Sequence, residues 1–331
     1  MPGQLFSSGD TSAGFGYSDE LSDYLRVQVQ PRTKFRQFAD AQDHTKKGLH
    51  RGATASWKVY SKIANQGGRL SEVQAMPESG FTESTKSMTV FEAGNSVPYS
   101  GKLDALAEHD IKALIDKTLR DDCRKFHDIE VFEQFDRCAI RVAPSSGTST
   151  TVLTVTTNAS TVTTNNVEFG TGHVKAVVDL MKERNIPAFY GDDYGAISHP
   201  SSYRTFKNSL ESVKQYTETG LGHIFRGEIG RYESMRFVEQ NFIPKGGAID
   251  SVTFDPTTET ADAWNNAKSS WIFFFGEDTV AEALVIPEEI RAKLAGDYGR
   301  SKGIAWYYLG AYGLVHDDAT NGRILKWDSA A

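Results

Sequence analysis

Cys123 and His127 stand four residues apart in a stretch of helical spacing, so a thiol and an imidazole could meet on one helix face as a nucleophile and its base. No third group is placed to orient the imidazole, and a packed thiol beside a helix-surface imidazole accounts for the pair equally well. Asp192-Asp193 lies between Gly191 and Gly195. Its oxygens could hold a hard cation, yet the same residues build an ordinary turn. Gly220-Leu221-Gly222 lacks the third glycine and the preceding strand of a dinucleotide loop, and reads better as the end of a helix. Asn158-Ala159-Ser160 has the form of a glycan acceptor, but no secretory signal accompanies it. The eight histidines show no metal-ligand spacing. The expectation is therefore a protein without catalytic residues, cofactor or metal, and not an enzyme.

The element that would position Cys123 and His127 is also the longest helical signal in the chain, Glu108 to Ile140. Ile111, Leu114, Ile115, Leu119, Cys123, Phe126 and Ile129 recur at three- and four-residue steps and fall on one half of a cylinder. Asp116, Lys117, Arg120, Asp121 and Arg124 lie opposite, with Asp116–Arg120 and Lys117–Asp121 spaced to pair along the surface. Val131, Phe135 and Cys138 leave the stripe, which suggests a bend or a second packing partner. At 1.5 Å per residue the helix runs roughly 45 Å, a spine for several segments. Cys123 and Cys138, the only cysteines, would be roughly 22 Å apart on it, outside disulfide reach.

Of the 331 residues, 39% are hydrophobic and 24% charged, ordinary globular composition with enough apolar material for two or three cores. No apolar run approaches the length of a membrane span; the densest, Trp271 to Phe275, is strand-sized. The net charge of −7 is uneven: from Tyr24 to Arg69 ten Lys or Arg face two Asp, a local +8 that leaves −15 elsewhere. Such a basic arm suits an acidic partner, either nucleic acid or another copy of the chain.

In chain order, Met1 to Glu20 is Gly- and Ser-rich without periodicity, and Leu25 to Gln30 alternates until Pro31. Trp57 to Ile63 alternates and ends at Gly67-Gly68. The excursion from Gly67 to Gly101 holds a second alternating run, Met88 to Phe91, a Gly94-Asn95 turn signal and a return through Val97 to Tyr99. It has too few apolar residues for a core and reads as a long projecting hairpin that needs another subunit to lie on. After the spine, Ser145 to Asn166 is a Thr-rich surface hairpin or insertion. Thr171 to Arg184 is a helix with Val174, Val177, Val178 and Met181 on one face. Tyr194 to Ser198 is a strand, and Ser201 or Ser202 caps a helix that buries Tyr203, Phe206, Leu210 and Val213. Ile224 to Phe242 carries strand-like pieces, Ser269 to Phe275 and Trp306 to Val315 are buried strands, and a polar tail follows. The order argues an α+β fold with late-returning strands.

Four local patterns run through that order. They are Ile186-Pro187 leading to Ala196-Ile197-Ser198-His199-Pro200; Gly227-Glu228-Ile229-Gly230-Arg231 followed by Arg236-Phe237-Val238-Glu239; Trp271 to Gly276 with Asp278 and Ala281; and Gly303-Ile304-Ala305-Trp306 into Gly310-Ala311. Their order and spacing across nearly the whole chain resemble the major capsid proteins of tailed bacteriophages, in the branch typified by coliphage N-four. The resemblance implies the Hong Kong phage fold: an N-terminal arm at 1–51, an E-loop at 52–107, the P-domain spine helix at 108–143, an A-domain at 144–242 with the Thr-rich insertion 145–166, and returning P- and A-domain strands with a C-terminal tail at 243–331. The Thr-rich stretch is longer than the family needs, and the long N-terminal extension that serves some relatives as a fused scaffold is absent.

What the resemblance implies for function is an icosahedral head shell around double-stranded DNA, built in the host cytoplasm and retained in the virion. The partners would be many copies of the chain itself as hexamers and pentamers, portal and scaffolding proteins, a decoration protein, and packaged DNA held non-specifically on the inner surface; no membrane is implied. Val90, Phe91, Arg26, Arg32, Lys34 and Arg36 are the residues expected at contacts between subunits. The rival readings are another head component, decoration or scaffold, and an unrecognised hydrolase.

Overall fold

The computed structural model describes residues 34–44, 51–60, 69, 72, 76, 78–107, 110–158, 167–214, 228–242 and 270–329. Its elements run β1 (Ala39–Asp43), β2 (Thr54–Tyr60), β3 (Glu83–Thr89), β4 (Phe91–Ser100), α1 (Gly101–Leu106), α2 (Ile111–Asp136), β5 (Ile140–Pro144), β6 (Leu153–Thr156), α3 (Thr171–Glu183), β7 (Tyr194–Ser198), α4 (Arg204–Lys214), β8 (Glu228–Tyr232), β9 (Met235–Glu239), β10 (Ser270–Phe275), β11 (Val280–Ala292), β12 (Ser301–Leu314) and β13 (Ile324–Ser329).

The spine helix α2 starts where Asp110 caps it, its carboxylate accepting from the backbone N–H groups of Lys112 and Ala113. Its buried seam is Ile111, Ile115, Leu119, Cys123, His127, Val131 and Phe135. Each four-residue step overshoots a full turn by about 40°, so the seam winds around the helix instead of running straight. That winding is why Val131 and Phe135 leave a straight stripe in the sequence. It also lets one helix face two sheets. Phe126 lies 5.5 Å from Trp306 of β12, ring to ring, whereas a helix turn or two later Phe132 and Phe135 lie 5.5 Å from Phe273 and Phe275 of β10. On the outer side, Arg120 Nε donates to Asp116 at 2.8 Å as the spacing predicts, but Asp121 pairs with Arg124.

The first sheet has the order β1-β11-β12-β4, with β1 parallel to β11 and the rest antiparallel. The two faces of β12 divide the work at the two-residue period of a strand. Trp306, Tyr308 and Tyr312 join the α2 core, while Leu309, Ala311 and, at the margin, Tyr307 join a smaller cluster with Ala55, Met88 and Val90. The second sheet has the order β6-β5-β13-β10-β7-β9-β8. One face, with Ile197, Phe273, Phe275 and Ile324, meets the spine; the other, with Ala196, Ile272, Phe274, Leu325 and Trp327, carries α3 and α4. Helix α3 buries Val174, Val177, Val178 and Met181 as its spacing predicts.

The structure redraws the hairpin. Strand β2 pairs with β3, Thr54 opposite Thr89 through Tyr60 opposite Glu83, as a separate two-stranded sheet. Strand β4 leaves it and pairs along β12, Phe91 opposite Gly310 through Ser100 opposite Ser301. Gly94-Asn95 is thus mid-strand. A Cβ on Gly94 would meet the Trp306 carbonyl oxygen at 2.7 Å, so this glycine serves a close backbone approach and not a turn. The stretch read as a polar tail holds β13, the strand between β5 and β10, where Lys326 and Asp328 are 1% and 2% exposed. The Lys326 ammonium sits 3.3 Å from the centre of the Trp271 ring and pairs with Asp136 at the end of the spine. A buried lysine so paired is compatible with a central strand, and polarity alone was a poor guide.

Candidate assembly interface

The arm reaches the body at Phe35, whose ring is 1% exposed and stands edge-on to Phe132, Phe135 and Phe273 at 5.4, 5.5 and 6.1 Å. Asp128, one residue beyond the seam position His127, accepts from the backbone N–H groups of Phe35 at 2.5 Å and Arg36 at 3.2 Å. Burial pushes the Asp128 carboxyl up to about 6, against the pull of those N–H donors. The Arg36 guanidinium then bridges two strand residues, Glu282 at 3.0 Å and Glu288 at 2.9 Å.

Glu282 is the hub. It is 2% exposed, and Oε1 accepts from the hydroxyls of Tyr308 at 3.1 Å and Tyr312 at 2.9 Å as well as from Arg36. Burial pushes both phenols well above their usual range, so they remain donors. The Tyr312 oxygen also lies 2.7 Å from His127 Nδ1. A phenol has one proton; with it given to Glu282, the imidazole must donate from Nδ1. Burial, and then the nearby Arg36 charge, hold His127 down at about 3, so the ring is neutral. This network locks arm root, spine and first sheet together.

Most of the residues that the sequence singled out have a place in the structure. Cys123 and His127 share a helix face, but His127 is fully buried and turned to Tyr312, while burial pushes the Cys123 thiol up to about 11; they form no nucleophile and base. Cys138 is buried and free. Asp193 is 3% exposed and receives Arg231 at 2.8 Å and Arg236 at 3.0 Å, so its cations are guanidinium groups. Val90, expected at a contact between subunits, is instead 1% exposed and exchanges backbone hydrogen bonds with Gly52 and Ala53. Phe91 packs against Phe126, Tyr308 and Tyr312. Alternation sets both places, since Val90 points to the hairpin side of the first sheet and Phe91 to the spine. Lys34 opens the described chain and Arg36 is the bridging residue above; Arg26, Arg32 and Gly220-Leu221-Gly222 lie outside the described residues. Asp128 and Glu282 escaped the sequence reading, although Glu282 as the one acid in Val280-Ala281-Glu282-Ala283-Leu284-Val285 was a visible signal.

The surface left over is apolar at two projecting ends. Tyr60 and Phe81 are each 59% exposed beside one another at the far end of the β2–β3 hairpin, and Leu294 and Tyr298 are fully open at the β11–β12 turn. There Asp297 and Tyr298 hold φ of 49° and 51°, a left-handed conformation uncommon for such residues. Among the described residues no group of three or more His, Cys, Asp or Glu is placed to hold a metal, and no helix is long and apolar enough to cross a membrane.

The fold of the chain is similar to that of solved phage capsid structures. The chain superposes on the capsid structure of the cyanophage P-SCSP1u with a TM-score of 0.65 at 14% identity, over 94% of this chain and 92% of that one. Against the capsid asymmetric unit of cyanophage Pam1 the TM-score is 0.64 at 13% identity, over 98% and 100%. The capsid of Ralstonia phage GP4 gives 0.63 at 12%, over 99% and 98%. No family model and no curated protein matches the sequence.

Proposed function

We propose that this chain is the major capsid subunit of a tailed phage, assembling in many copies into an icosahedral head shell around double-stranded DNA in the host cytoplasm. The observation that carries this reading is end-to-end agreement of fold, without a large unmatched domain on either side, with phage capsid chains. In this reading the segment up to the arm root is the N-terminal arm, β2–β3 the E-loop, α2 with the first sheet the P-domain, and the second sheet with α3 and α4 the A-domain. The four sequence patterns quoted above favour the branch typified by coliphage N-four. Shell contacts of this kind are heterologous: one surface meets a different surface on the next copy, and rings close where the rotation allows. Portal and scaffolding proteins and the packaged DNA would be further partners. Electron microscopy of the purified chain tests the proposal: hexamers, pentamers or closed particles are expected, and a chain that stays monomeric under all shell-forming conditions overturns it. A decoration or scaffolding protein would coat or fill particles made by another chain and form none alone.

A further inference from the structure

The carboxyl of Asp128 is paired on one oxygen only. It is 1% exposed, and Oδ1 accepts from the backbone N–H groups of Phe35 at 2.5 Å and Arg36 at 3.2 Å, whereas Oδ2 is enclosed without a hydrogen-bond partner. An ionised oxygen so placed is costly, because neither water nor a donor balances its charge. With a proton on Oδ2 the charge is gone, and Oδ1 still accepts from both N–H groups. The arm root makes the enclosure: the backbone of Phe35 lies on the carboxyl and its ring on Phe132, one turn further along α2. Water therefore reaches Asp128 when Phe35 lifts, and the carboxyl then behaves as an exposed one.

The charged groups that face this point come from the arm root, the spine and the first sheet. The arm root brings Lys34 and Arg36, the latter bound to Glu282 and Glu288 of β11. Spine helix α2 brings Arg124, paired with Asp121, then Lys125, the neutral His127, and Glu130, which burial and then Glu133 push up to about 7. Strand β12 adds the phenols of Tyr308 and Tyr312, both donating to Glu282, and β10 adds the uncharged Trp271 and Phe273. Burial outweighs the N–H groups of the arm root and holds the Asp128 carboxyl up at about 6, whereas an exposed aspartate titrates near about 3.9.

We propose that Asp128 is a proton-operated latch on the arm root. Protonated, it holds the backbone of Phe35 and Arg36 on the spine; once the proton leaves, their release becomes easier, because the carboxylate gains water in the opened state. The opening is local, since the Arg36 guanidinium, on its long side chain, keeps Glu282, and β1 keeps its pairing with β11. A carboxyl raised by docking stabilises the docked state fully below about pH 4 and loses that contribution as pH rises through about 6. The opening constant should then grow by up to about tenfold per pH unit in between, and roughly fiftyfold from pH 4 to pH 7. The root keeps one geometry throughout, while the ease of leaving it is set by a single proton.

The test is hydrogen exchange at the Phe35 and Arg36 amides of the full-length chain between pH 4 and pH 7, each rate divided by its intrinsic value. The opening constant is expected to rise roughly fiftyfold in the parent and to stay level in Asp128→Asn, whose Oδ1 still accepts from both N–H groups and which has no proton to lose. His127 and Glu130 titrate in both proteins, so the difference between them belongs to Asp128. Amides of Ile115 and Leu119 in the seam serve as the reference and should not follow Phe35. Should the variant fail to fold, the carbon-13 shift of the parent's Asp128 carboxyl decides alone: a midpoint near about 6 supports the latch, and one near about 4 overturns it. A parent whose opening is level with pH, a variant that keeps the parent's slope, or a seam that opens in step with the arm root each overturns it as well.

Discussion

Two segments are attached to the same sheet in opposite ways. The arm root is held on the α2 side through a buried polar network, Asp128 to backbone N–H and Arg36 to Glu282, with two tyrosines and a histidine completing it. The β2–β3 hairpin is held on the other side by contact of Ala55, Met88 and Val90 with Ala283, Leu309 and Ala311, plus exposed pairs, Lys86 with Asp317 and, at its root, Arg51 with Glu92. Hydrogen bonds and buried ion pairs have one good geometry, and leaving a member unpaired is costly. Apolar contact is non-directional and tolerates small shifts. The arm root is therefore the rigid attachment and the hairpin root the adaptable one, a sensible division if the hairpin must fit neighbours at differing angles.

The largest expected effect comes from the hub. Glu282→Gln leaves the Arg36 cation without its buried partner and should destabilise the whole chain by about 3–5 kcal/mol, with hydrogen exchange rising along Phe35–Asp43 and α2 together. Were exchange to rise only in the arm, the network would be a local latch and the contrast would fail.

Next in size is the acid response of His127 on the same side. His127 falls from an ordinary value near 6.5 to about 3 on folding, so its contribution is complete above pH 6.5 and is lost as pH falls toward 3. By linkage this amounts to about 2–3 kcal/mol between pH 6.5 and 4.5. Asp128 at about 6 and Glu130 at about 7 act in the reverse sense, their contributions being present in acid and lost as pH rises through those values. The comparison to make is urea unfolding of the parent and His127→Gln across that window: relative to the parent the variant should gain stability as pH falls, and parallel curves would remove His127 from the account.

On the adaptable side, Met88→Ala should cost about 2 kcal/mol, with faster exchange confined to β2 and β3. Spread of the effect into α2 would mean that the hairpin root is as integral as the arm root. Smallest of all, Arg120→Ala removes a surface pair and should move the midpoint of unfolding by no more than about 0.5 kcal/mol.

Much of this was legible in the residues. The spine, α3, α4 and β10 follow from periodicity because each buries one clean face or is apolar throughout. Strand β4 was misread because glycine has two uses, and the sequence cannot say whether Gly94 frees a turn or admits the Trp306 carbonyl. Strand β13 was missed because Lys326 and Asp328 are polar by type, and only their partners on other elements make them core residues. The hub stayed hidden for a similar reason, since Arg36, Asp128 and Glu282 are brought together by contacts up to 246 positions apart in the chain. Phe91 was expected at a contact between subunits from a scarcity of apolar residues within the hairpin; within the chain it also finds Phe126 on α2 and Tyr308 and Tyr312 on β12.

The placement of β13 sets the timing of folding. Strand β5 is made early, yet its parallel neighbour in the finished sheet is Ile324–Ser329, paired through Leu325 opposite Ile140. Until those six residues leave the ribosome, the second sheet lacks the strand that joins β5 and β6 to β10. A nascent chain cannot complete this sheet from its N-terminal end, as many domains do during synthesis. Copies of the chain should therefore complete this sheet only once residues 324–329 have cleared the ribosome, and rare codons placed before residue 324 would lengthen that delay without altering the product.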